Sequence, residues 1–322
     1  MNILVTGAAG FIGFHMANKL LDLGHTVVGL DNFNDYYSVR LKRDRHAILE
    51  KRPGYAGVEA DLCDYDRLTA LFRKNAFDRV CHLAAQAGVR YSLTHPFVYQ
   101  KANLEGFLNV LEVCRHAKIA RLVYASSSSV YGGNTKLPFS ESDPVDHPVS
   151  LYAATKKANE LMAHTYTHLY GLRTVGLRFF TVYGPWGRPD MAMWLFAEAM
   201  LAGKPIQVFN NGQMRRDFTY VDDIVQGVVG SLFSEKLEPY EVLNIGNHRS
   251  ENLLDMIGIL GQALGVTPKM EFLPLQPGDV PATYADISQI RAKCGYEPTT
   301  PISLGIPKFA EWFRRYHGGR PG

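Results

Sequence analysis

Short apolar runs rich in Val, Ile and Leu alternate with longer helical stretches through the first 180 residues. The runs are apolar on both sides, which is typical of parallel strands that are buried on both faces. We predict strands at Ile3–Thr6, Thr26–Leu30, Tyr55–Glu59, Arg79–Leu83, Leu122–Ala125 and Thr174–Phe179. We predict helices at Phe11–Leu23, Arg67–Asn75, Asn103–Ala117 and Tyr152–Tyr170. Strands that alternate with helices indicate an α/β fold with a doubly wound parallel sheet.

The second half has a different texture, because twelve of the seventeen prolines fall between Pro185 and Pro321. Proline disfavours helix interiors and central strands, so we expect a smaller, loop-rich α/β substrate domain here. One segment is expected to return to the first domain, with a helix at Val221–Phe233 and a strand at Val242–Ile245. The predicted domains are therefore 1–180 with about 221–247 for the cofactor, and 181–220 with 248–322 for the substrate.

Composition restricts the function classes. The 322 residues carry a net charge of +3, which gives no reason to expect nucleic acid or a membrane as partner. We interpret the basic stretch from Arg40 to Arg45 as a solvated helix face. The four cysteines are scattered without metal-ligand spacing, and the N-terminus lacks the basic region of a signal peptide. We therefore expect a soluble, cytoplasmic protein without a metal site.

A glycine triplet, Gly7, Gly10 and Gly13, follows the first predicted strand and opens the first helix. Such a loop lets the backbone approach a pyrophosphate at a helix N-terminus, which predicts a Rossmann-type dinucleotide site. Asp31 ends the second strand, where a carboxylate binds ribose hydroxyls and repels a 2′-phosphate, so NAD is favoured over NADP. The predicted cofactor-binding residues are Gly7, Gly10, Phe11, Ile12, Gly13, Asp31, Asn32, Asp61, Leu62, Leu83, Ala84, Ala85, Ala87, Tyr152 and Lys156.

The candidate catalytic groups are Tyr152 and Lys156, with Ser127 and Ser128 upstream. Residues four apart share one helix face, so the phenol and the ammonium can point into one crevice. The serines end the fifth strand, and ligands bind outside the carboxyl ends of such strands. We expect Lys156 and a bound nicotinamide to lower the pKa of Tyr152, so that the phenol takes a proton from a sugar hydroxyl that Ser127 polarises.

These motifs resemble the extended short-chain dehydrogenase/reductase family over nearly the whole chain. The resemblance includes the serine run before Val130-Tyr131-Gly132 and the segment Arg178–Pro185. Its nucleotide-sugar branch is indicated by Arg215–Asp223, and the resemblance implies that Arg216 contacts the nucleotide diphosphate. It also implies that the segment with Val208 and Phe209 lines the uracil of a UDP-sugar.

The lack of carboxyl groups at Ser127-Ser128-Ser129 limits which reactions of this branch are possible. Related 4,6-dehydratases carry Thr-Asp-Glu where this chain has Ser127-Ser128-Ser129, and decarboxylating relatives carry Glu at the position of Ser129. Without those carboxyl groups, the resemblance implies neither dehydration nor decarboxylation. The resemblance then implies oxidation and re-reduction at sugar carbon 4 with a tightly bound, recycled NAD, as in a 4-epimerase.

The segment Thr181–Ala192 is similar to that of the UDP-glucuronate 4-epimerases. A sugar carboxylate prefers a guanidinium fork and hydroxyl donors, so Arg188, Thr181 and Ser128 are its candidate ligands. The segment Gln276–Pro281, which includes the candidate substrate residue Asp279, also resembles that group. Gln276 stands where galactose epimerases have a phosphate-binding Arg, which places more of the diphosphate charge on Arg216.

The resemblance also implies a homodimer formed through the helices Asn103–Ala117 and Tyr152–Tyr170. The second helix carries Leu161, Met162, Tyr166 and Leu169 as apolar surface for a neighbour. Three alternatives remain open at this point. They are a 4-epimerase of UDP-glucose or UDP-galactose, a net dehydrogenase that releases its reduced cofactor, and an inactive NAD-sensing protein on the same fold.

Overall fold

The computed structural model describes residues 1–275 and 281–318. Its strands in chain order are β1 (Asn2–Thr6), β2 (Thr26–Asp31), β3 (Tyr55–Glu59), β4 (Arg79–His82), β5 (Arg121–Ser127), β6 (Thr174–Phe179), β7 (Thr181–Tyr183), β8 (Ile206–Phe209), β9 (Arg215–Arg216), β10 (Phe218–Tyr220), β11 (Tyr240–Ile245), β12 (Glu251–Asn252) and β13 (Met270–Leu273). Its α-helices are α1 (Phe11–Asp22), α2 (Val39–Glu50), α3 (Tyr65–Lys74), α4 (Tyr91–Thr94), α5 (Pro96–Tyr99), α6 (Gly106–His116), α7 (Leu151–Tyr170), α8 (Ala192–Leu201), α9 (Val221–Phe233), α10 (Leu253–Leu264), α11 (Ser288–Cys294) and α12 (Ile302–Gly318).

The central sheet has seven parallel strands in the order β11-β6-β5-β4-β1-β2-β3. The chain winds outward from β1 in both directions, which confirms the predicted doubly wound, Rossmann-type α/β sheet. Strand order reverses between β1 and β4, and a ligand crevice opens at the carboxyl ends of strands at such a point. The topology therefore locates the site before any side chain is considered.

Core side chains cover both faces of the sheet. Ile3 and Val5 of β1 belong to one buried apolar cluster, and Leu4 between them belongs to another on the opposite face. The prediction that every strand is buried on both faces is wrong for β3. As the edge strand it is exposed at Ala56, Gly57 and Glu59, because no neighbour covers its outer side.

The second half contributes to the central sheet and also builds small sheets of its own. The helix and strand predicted at Val221–Phe233 and Val242–Ile245 are α9 and β11, and β11 pairs with β6. Strand pairs β7/β10, β8/β13 and β9/β12 lie outside the central sheet. Proline did not prevent helix formation, since α12 contains Pro307. The domain boundaries stay a prediction, and within the two described ranges no helix is long and apolar enough to cross a bilayer.

The basic stretch of α2 is not a solvated face, which corrects the interpretation from sequence. Lys42 is 4% exposed and Arg45 is completely buried. Lys42 donates to the carbonyl and side-chain oxygens of Asn34, while Arg43 between them is exposed and pairs with Glu59. The sequence could not reveal this burial, because the covering groups come from distant parts of the chain.

A buried ion pair is the centre of a polar network that joins four elements. Glu160 of α7 accepts two hydrogen bonds of 2.9 Å from Arg178 of β6, and both side chains are nearly inaccessible. The Ser126 hydroxyl at the end of β5 donates to the same carboxylate at 2.7 Å. Arg178 also donates to the phenol of Tyr131, which donates onward to Asn244 of β11. The network therefore fixes β5, β6, β11 and α7 relative to one another.

We expect Glu160→Gln to lower the free energy of unfolding by about 3–5 kcal/mol, because it leaves the Arg178 cation buried without its carboxylate. Denaturant unfolding measures this change. The matched control is Glu311→Gln, which breaks an exposed pair with Arg315 and should cost less than about 1 kcal/mol. An equal effect of the two substitutions would show that the buried pair does not stabilise the fold.

Candidate functional site

A cavity of about 450 Å³ opens at the carboxyl ends of the central strands. Most residues predicted for the cofactor and for catalysis line it together. They are Gly7, Gly10, Phe11, Ile12, Gly13, Asp31, Asn32, Asp61, Leu62, Leu83, Ala84, Ala85, Ala87, Ser127, Tyr152, Lys156 and Arg188. Their specific roles stay predictions, but the fold brings them to one crevice.

Several predicted substrate residues do not line this cavity. Ser128 begins the short 3-10 helix after β5, and Thr181 lines a smaller neighbouring cavity with Arg188. The side chain of Val208 is completely buried in the apolar core, so only its main chain is available to a ligand. Phe209 and Arg216 lie outside the lining as well, and Asp279 and Gln276 lie outside the described residues.

The glycine loop has the geometry that a pyrophosphate requires. Gly7 has a φ of +71°, and a Cβ there would lie 2.8 Å from the backbone nitrogen of Ala84. A Cβ on Gly13 would lie 2.0 Å from the Gly7 carbonyl oxygen, so only glycine permits this approach of helix and loop. Gly10 caps α1 without a side-chain acceptor, which leaves amide groups of the first turn for an anion. These residues fit a bound dinucleotide.

Asp31 lies at the end of β2 and joins the glycine loop to the next turn. Its carboxylate accepts hydrogen bonds from the amides of Ala9 at 3.0 Å and Phe33 at 2.9 Å. A carboxylate can accept about four bonds, so capacity remains for ribose hydroxyls. Asp61 of the neighbouring loop accepts from Asn32 and from the Cys63 amide, and these bonds hold the pKa of Asp61 below its usual range although burial opposes them.

Ser127, Tyr152 and Lys156 converge at the other end of the cavity. Ser150 caps α7 by accepting from the Ala153 amide at 3.1 Å, which starts the helix directly before Tyr152. The Ser127 hydroxyl lies near enough to the Tyr152 phenol to lower its pKa, and Lys156 donates to the Ala125 carbonyl at 2.8 Å. The Lys156 ammonium lies 6.0 Å from the centroid of the Tyr152 ring. The hydroxyl, phenol and ammonium groups thus share one pocket, as their spacing predicts.

Burial dominates the ionisation of these groups. It raises the pKa of Tyr152, while the nearby Ser127 hydroxyl and the Arg188 charge act in the opposite direction. Burial lowers the pKa of Lys156 to about 8. Lys156 keeps its charge on the acidic side of that value and loses it as the pH rises through it. Its charge therefore becomes sensitive to pH near neutrality.

Sequence reasoning missed the buried amide that links the cofactor side to α7. Asn103 exchanges two hydrogen bonds with the backbone of Gln86 and donates to the Thr155 hydroxyl. It lies in a π-helical segment, Gln100–Glu105, where a regular helix was predicted from Asn103 onward. Such segments often occur at functional sites. Periodicity alone does not distinguish the π-helical turn from an α-helical one, so the sequence carried no clear signal.

Arg188 faces the cavity, but its guanidinium already holds a carboxylate. Asp190 accepts from its Nε at 2.9 Å and from a second guanidinium nitrogen, which makes a fork. The Tyr36 phenol also donates to Asp190 at 2.9 Å. Neither Asp190 nor Tyr36 was predicted. Asp190 lies only two residues from Arg188, whereas its contact with Tyr36 joins two loops 154 residues apart. Any carboxylate ligand of Arg188 must share or replace this pairing.

A second polar region surrounds Arg216, away from the glycine loop. Arg216 donates to the carbonyls of Arg215 and Pro281. Asp217, completely buried beside it, accepts from the amides of Asn247, His248 and Ala285 and so fixes three chain segments. The acid of the Arg215–Asp223 motif therefore holds the framework from which Arg216 projects.

Comparison with known proteins adds to this geometry. Residues 3–246 match the NAD dependent epimerase/dehydratase family. The chain belongs to that family. The match includes the glycine loop, Asp31 and the Tyr152/Lys156 pair, and it supports NAD as the cofactor of the cavity. Because the family model covers residues 3–246, the further comparisons concern which reaction the cavity serves.

Individual relatives align with nearly the whole chain. UDP-glucuronate 4-epimerase 2 of Arabidopsis thaliana is 49% identical over 99% of this chain and 78% of its own length. A probable UDP-glucuronate 4-epimerase of Rhizobium meliloti (strain 1021) is 44% identical over 98% of this chain and 99% of its own. The crystal structure of UDP-glucuronic acid 4-epimerase from Bacillus cereus, in complex with UDP-glucuronic acid and NAD, is similar with a TM-score of 0.93. It is 37% identical and covers 98% of this chain and 100% of that one.

We expect Asp31→Ala to weaken NAD binding by roughly 10–100-fold, as hydrogen bonds to a charged group are lost, and to strengthen NADP binding, as repulsion is removed. Titration calorimetry with each dinucleotide measures both effects. Asp22→Ala is the control, because Asp22 pairs with Arg52 outside the cavity lining. Equal affinity of Asp31→Ala and parent for NAD would remove Asp31 from the cofactor site.

Proposed function

We propose that this chain is an NAD-dependent UDP-glucuronate 4-epimerase that produces UDP-galacturonate through a transient 4-keto sugar. The observation that carries the proposal is the convergence of Ser127, Tyr152 and Lys156 with Arg188 around one cavity. The first three groups fit chemistry at a sugar hydroxyl, and the fourth provides a cation for a uronate. The relatives from Arabidopsis thaliana and Bacillus cereus described above, which cover nearly the whole chain, carry this activity in their names.

The residues of the chain handle the proton of the reaction. Tyr152 takes the proton of the carbon 4 hydroxyl, and the Ser127 hydroxyl holds the same oxygen. Lys156, charged below its pKa of about 8, stabilises the phenolate of Tyr152. When bound, NAD supplies the reversible two-electron oxidation at carbon 4. Tyr152 then returns the proton after the sugar ring has turned in the pocket, so that the configuration at carbon 4 is inverted.

The acidic groups of the cavity lie away from the reacting position. Among the described lining residues, the carboxylates are Asp31, the last residue of β2, and Asp35 and Asp61 in the loops after β2 and β3. Ser127 ends β5, and Ser129 of the short 3-10 helix that follows donates its hydroxyl to Ser127 at 2.9 Å. The end of β5 and the turn after it thus carry hydroxyl groups, where the related 4,6-dehydratases have carboxyl groups, and this supports epimerisation over elimination of water.

The 4-keto uronate is a β-keto acid. It loses carbon dioxide when the electron pair of the breaking carbon–carbon bond can move into the ketone to form an enolate. A guanidinium fork stabilises the charged carboxylate and restricts its rotation, so it opposes this loss. We propose that Arg188 serves this purpose, with Ser128 and Thr181 as hydroxyl donors near the ends of β5 and β7. Asp190 then exchanges places with, or lies beside, the sugar carboxylate on the same guanidinium.

We also propose that the protein is a homodimer formed by α6 and α7. Leu108 of α6 and Leu161, Leu169 and Tyr170 of α7 are 41–59% exposed. Met162 and Tyr166, expected at the same interface, instead pack partly against the core of their own chain. The exposed set lies on two adjacent helices, so a second copy can cover it with a four-helix bundle.

We propose the cytoplasm as the compartment. All four cysteines, Cys63, Cys81, Cys114 and Cys294, are free thiols. Thiols persist in reducing compartments, whereas oxidising ones favour disulfides.

We expect Tyr152→Phe to lower conversion of UDP-glucuronate by about 10²–10⁴-fold, since the phenyl ring cannot accept the proton. NAD affinity should change less than about twofold. Product formation followed by NMR tests the first effect, and calorimetry tests the second. Tyr65→Phe, at the exposed start of α3 and outside the cavity lining, should behave as the parent. A loss of less than about tenfold would exclude Tyr152 as the base.

We expect the double substitution Leu161→Glu with Leu169→Glu to convert the dimer to a monomer, because it buries charges in the apolar contact. Light scattering at micromolar protein reports the mass. Leu304→Glu changes a leucine of α12 that is 60% exposed and should leave the dimer intact. A monomeric parent would contradict the proposed assembly.

A further inference from the structure

Three consecutive carbonyls directly before Arg188 are held by side chains from the first half of the chain. His15 of α1 donates from Nε2 to the Pro185 carbonyl at 2.9 Å. Arg45 of α2 donates to the carbonyls of Trp186 at 2.6 Å and Gly187 at 3.0 Å. Trp186 has a φ of +59°, which is a conformation that side chains rarely adopt. The segment therefore depends on these external bonds for its shape.

Arg45 binds Trp186 and Gly187 through Nη2, and it reaches the glycine loop through Nη1. It donates to the Ala9 carbonyl and to the Tyr37 phenol, each at 2.9 Å. The Ala9 amide in turn donates to Asp31. One side chain thus connects the pyrophosphate loop to the backbone on which Arg188 stands.

The bonding of Arg45 is unusual for a buried cation. The side chain is completely buried, and among the described residues its hydrogen-bond acceptors are carbonyls and a phenol, not a carboxylate. Burying a charge on neutral partners is costly, and a neutral side chain would fill the space with less penalty. The planar guanidinium of Arg45 fixes the positions of several acceptors at once, which a neutral side chain would not do.

The hydrogen bond from His15 to this segment does not depend on pH near neutrality. Burial lowers the pKa of His15 to about 4, so the ring is neutral near pH 7. A carbonyl oxygen only accepts hydrogen bonds, so Nε2 must carry the proton that reaches Pro185. The anchor is therefore present across the neutral pH range.

We propose that Arg45 is a positioning residue for substrate recognition. It fixes the Trp186–Gly187 backbone so that Arg188 presents its guanidinium to the sugar carboxylate, and it ties this backbone to the cofactor loop. The inference rests on the proposed function, because it assigns Arg188 a uronate ligand. Gly187 is the residue directly before Arg188, so displacement of its carbonyl moves the Arg188 main chain itself.

The test measures binding by the NAD-loaded protein in the Tyr152→Phe background, which prevents turnover. The two ligands are UDP-glucuronate and UDP, and calorimetry gives Kd for each. We expect Arg45→Met to weaken UDP-glucuronate by about 10–100-fold, as small misplacements of a binding group do, and to change UDP by less than about twofold. Arg45→Lys, which keeps a donor to some of the carbonyls, should recover part of the loss.

Two controls separate positioning from general stability. Arg52→Met removes an arginine that ties the region after α2 to Asn18 and Asp22 of α1, outside the cavity, and both affinities should stay at the parent values. In a double-mutant cycle, Arg45→Met added to Arg188→Ala should weaken UDP-glucuronate by less than about twofold further, because its effect passes through Arg188. Full additivity of the two losses would overturn the proposal.

If Arg45→Met does not fold, His15→Phe enters the same cycle, since it removes only the Pro185 anchor. Alone, His15→Phe should weaken UDP-glucuronate binding less than Arg45→Met does. Added to Arg188→Ala, it should weaken binding no further. Equal weakening of UDP and UDP-glucuronate by either variant would overturn the inference and leave the proposed function standing. Failure of the unmodified protein to convert UDP-glucuronate would instead overturn the proposed function, and this inference with it.

Discussion

The buried pair of Glu160 and Arg178 determines where the reacting groups stand. Glu160 lies one helical turn beyond Lys156 on α7, and it also binds Ser126, the residue before Ser127. Arg178 brings β6 to the same carboxylate. A carboxylate buried in this position needs its donors, so α7 and β5 cannot shift independently without exposing an unpaired charge. The relative placement of Tyr152, Lys156 and Ser127 follows from this constraint.

A second buried cation serves the substrate side of the cavity in a different way. Arg178 is satisfied by a carboxylate, whereas Arg45 is satisfied by carbonyl dipoles of two separate loops. The first arrangement fixes packed elements, and the second fixes a segment with unusual backbone angles. The catalytic groups and the proposed carboxylate ligand, Arg188, are therefore oriented by separate polar clusters that meet at one cavity.

Local patterns predicted the parts of the site that lie within one strand–loop–helix unit. The glycine loop, Asp31 and the Tyr152/Lys156 pair depend on spacing along the sequence, and the structure places them together. The failures concern contacts between distant segments. Arg45 reaches Trp186 across 141 residues, so a basic stretch that resembles a solvated face is buried in the fold. The contact of Tyr36 with Asp190, 154 residues away, and the core position of Val208 likewise depend on tertiary packing that periodicity does not encode.

The central claim is that carbon 4 of a UDP-uronate is oxidised and reduced within one cavity without exchange of its hydrogen with water. The most direct measurement uses UDP-glucuronate carrying deuterium at carbon 4, incubated with the purified protein and no added NAD, and follows the products by NMR. We predict UDP-galacturonate that retains the deuterium at carbon 4. A product that has lost the deuterium, a pentose formed by loss of carbon dioxide, or no conversion by protein shown to contain NAD would contradict the account.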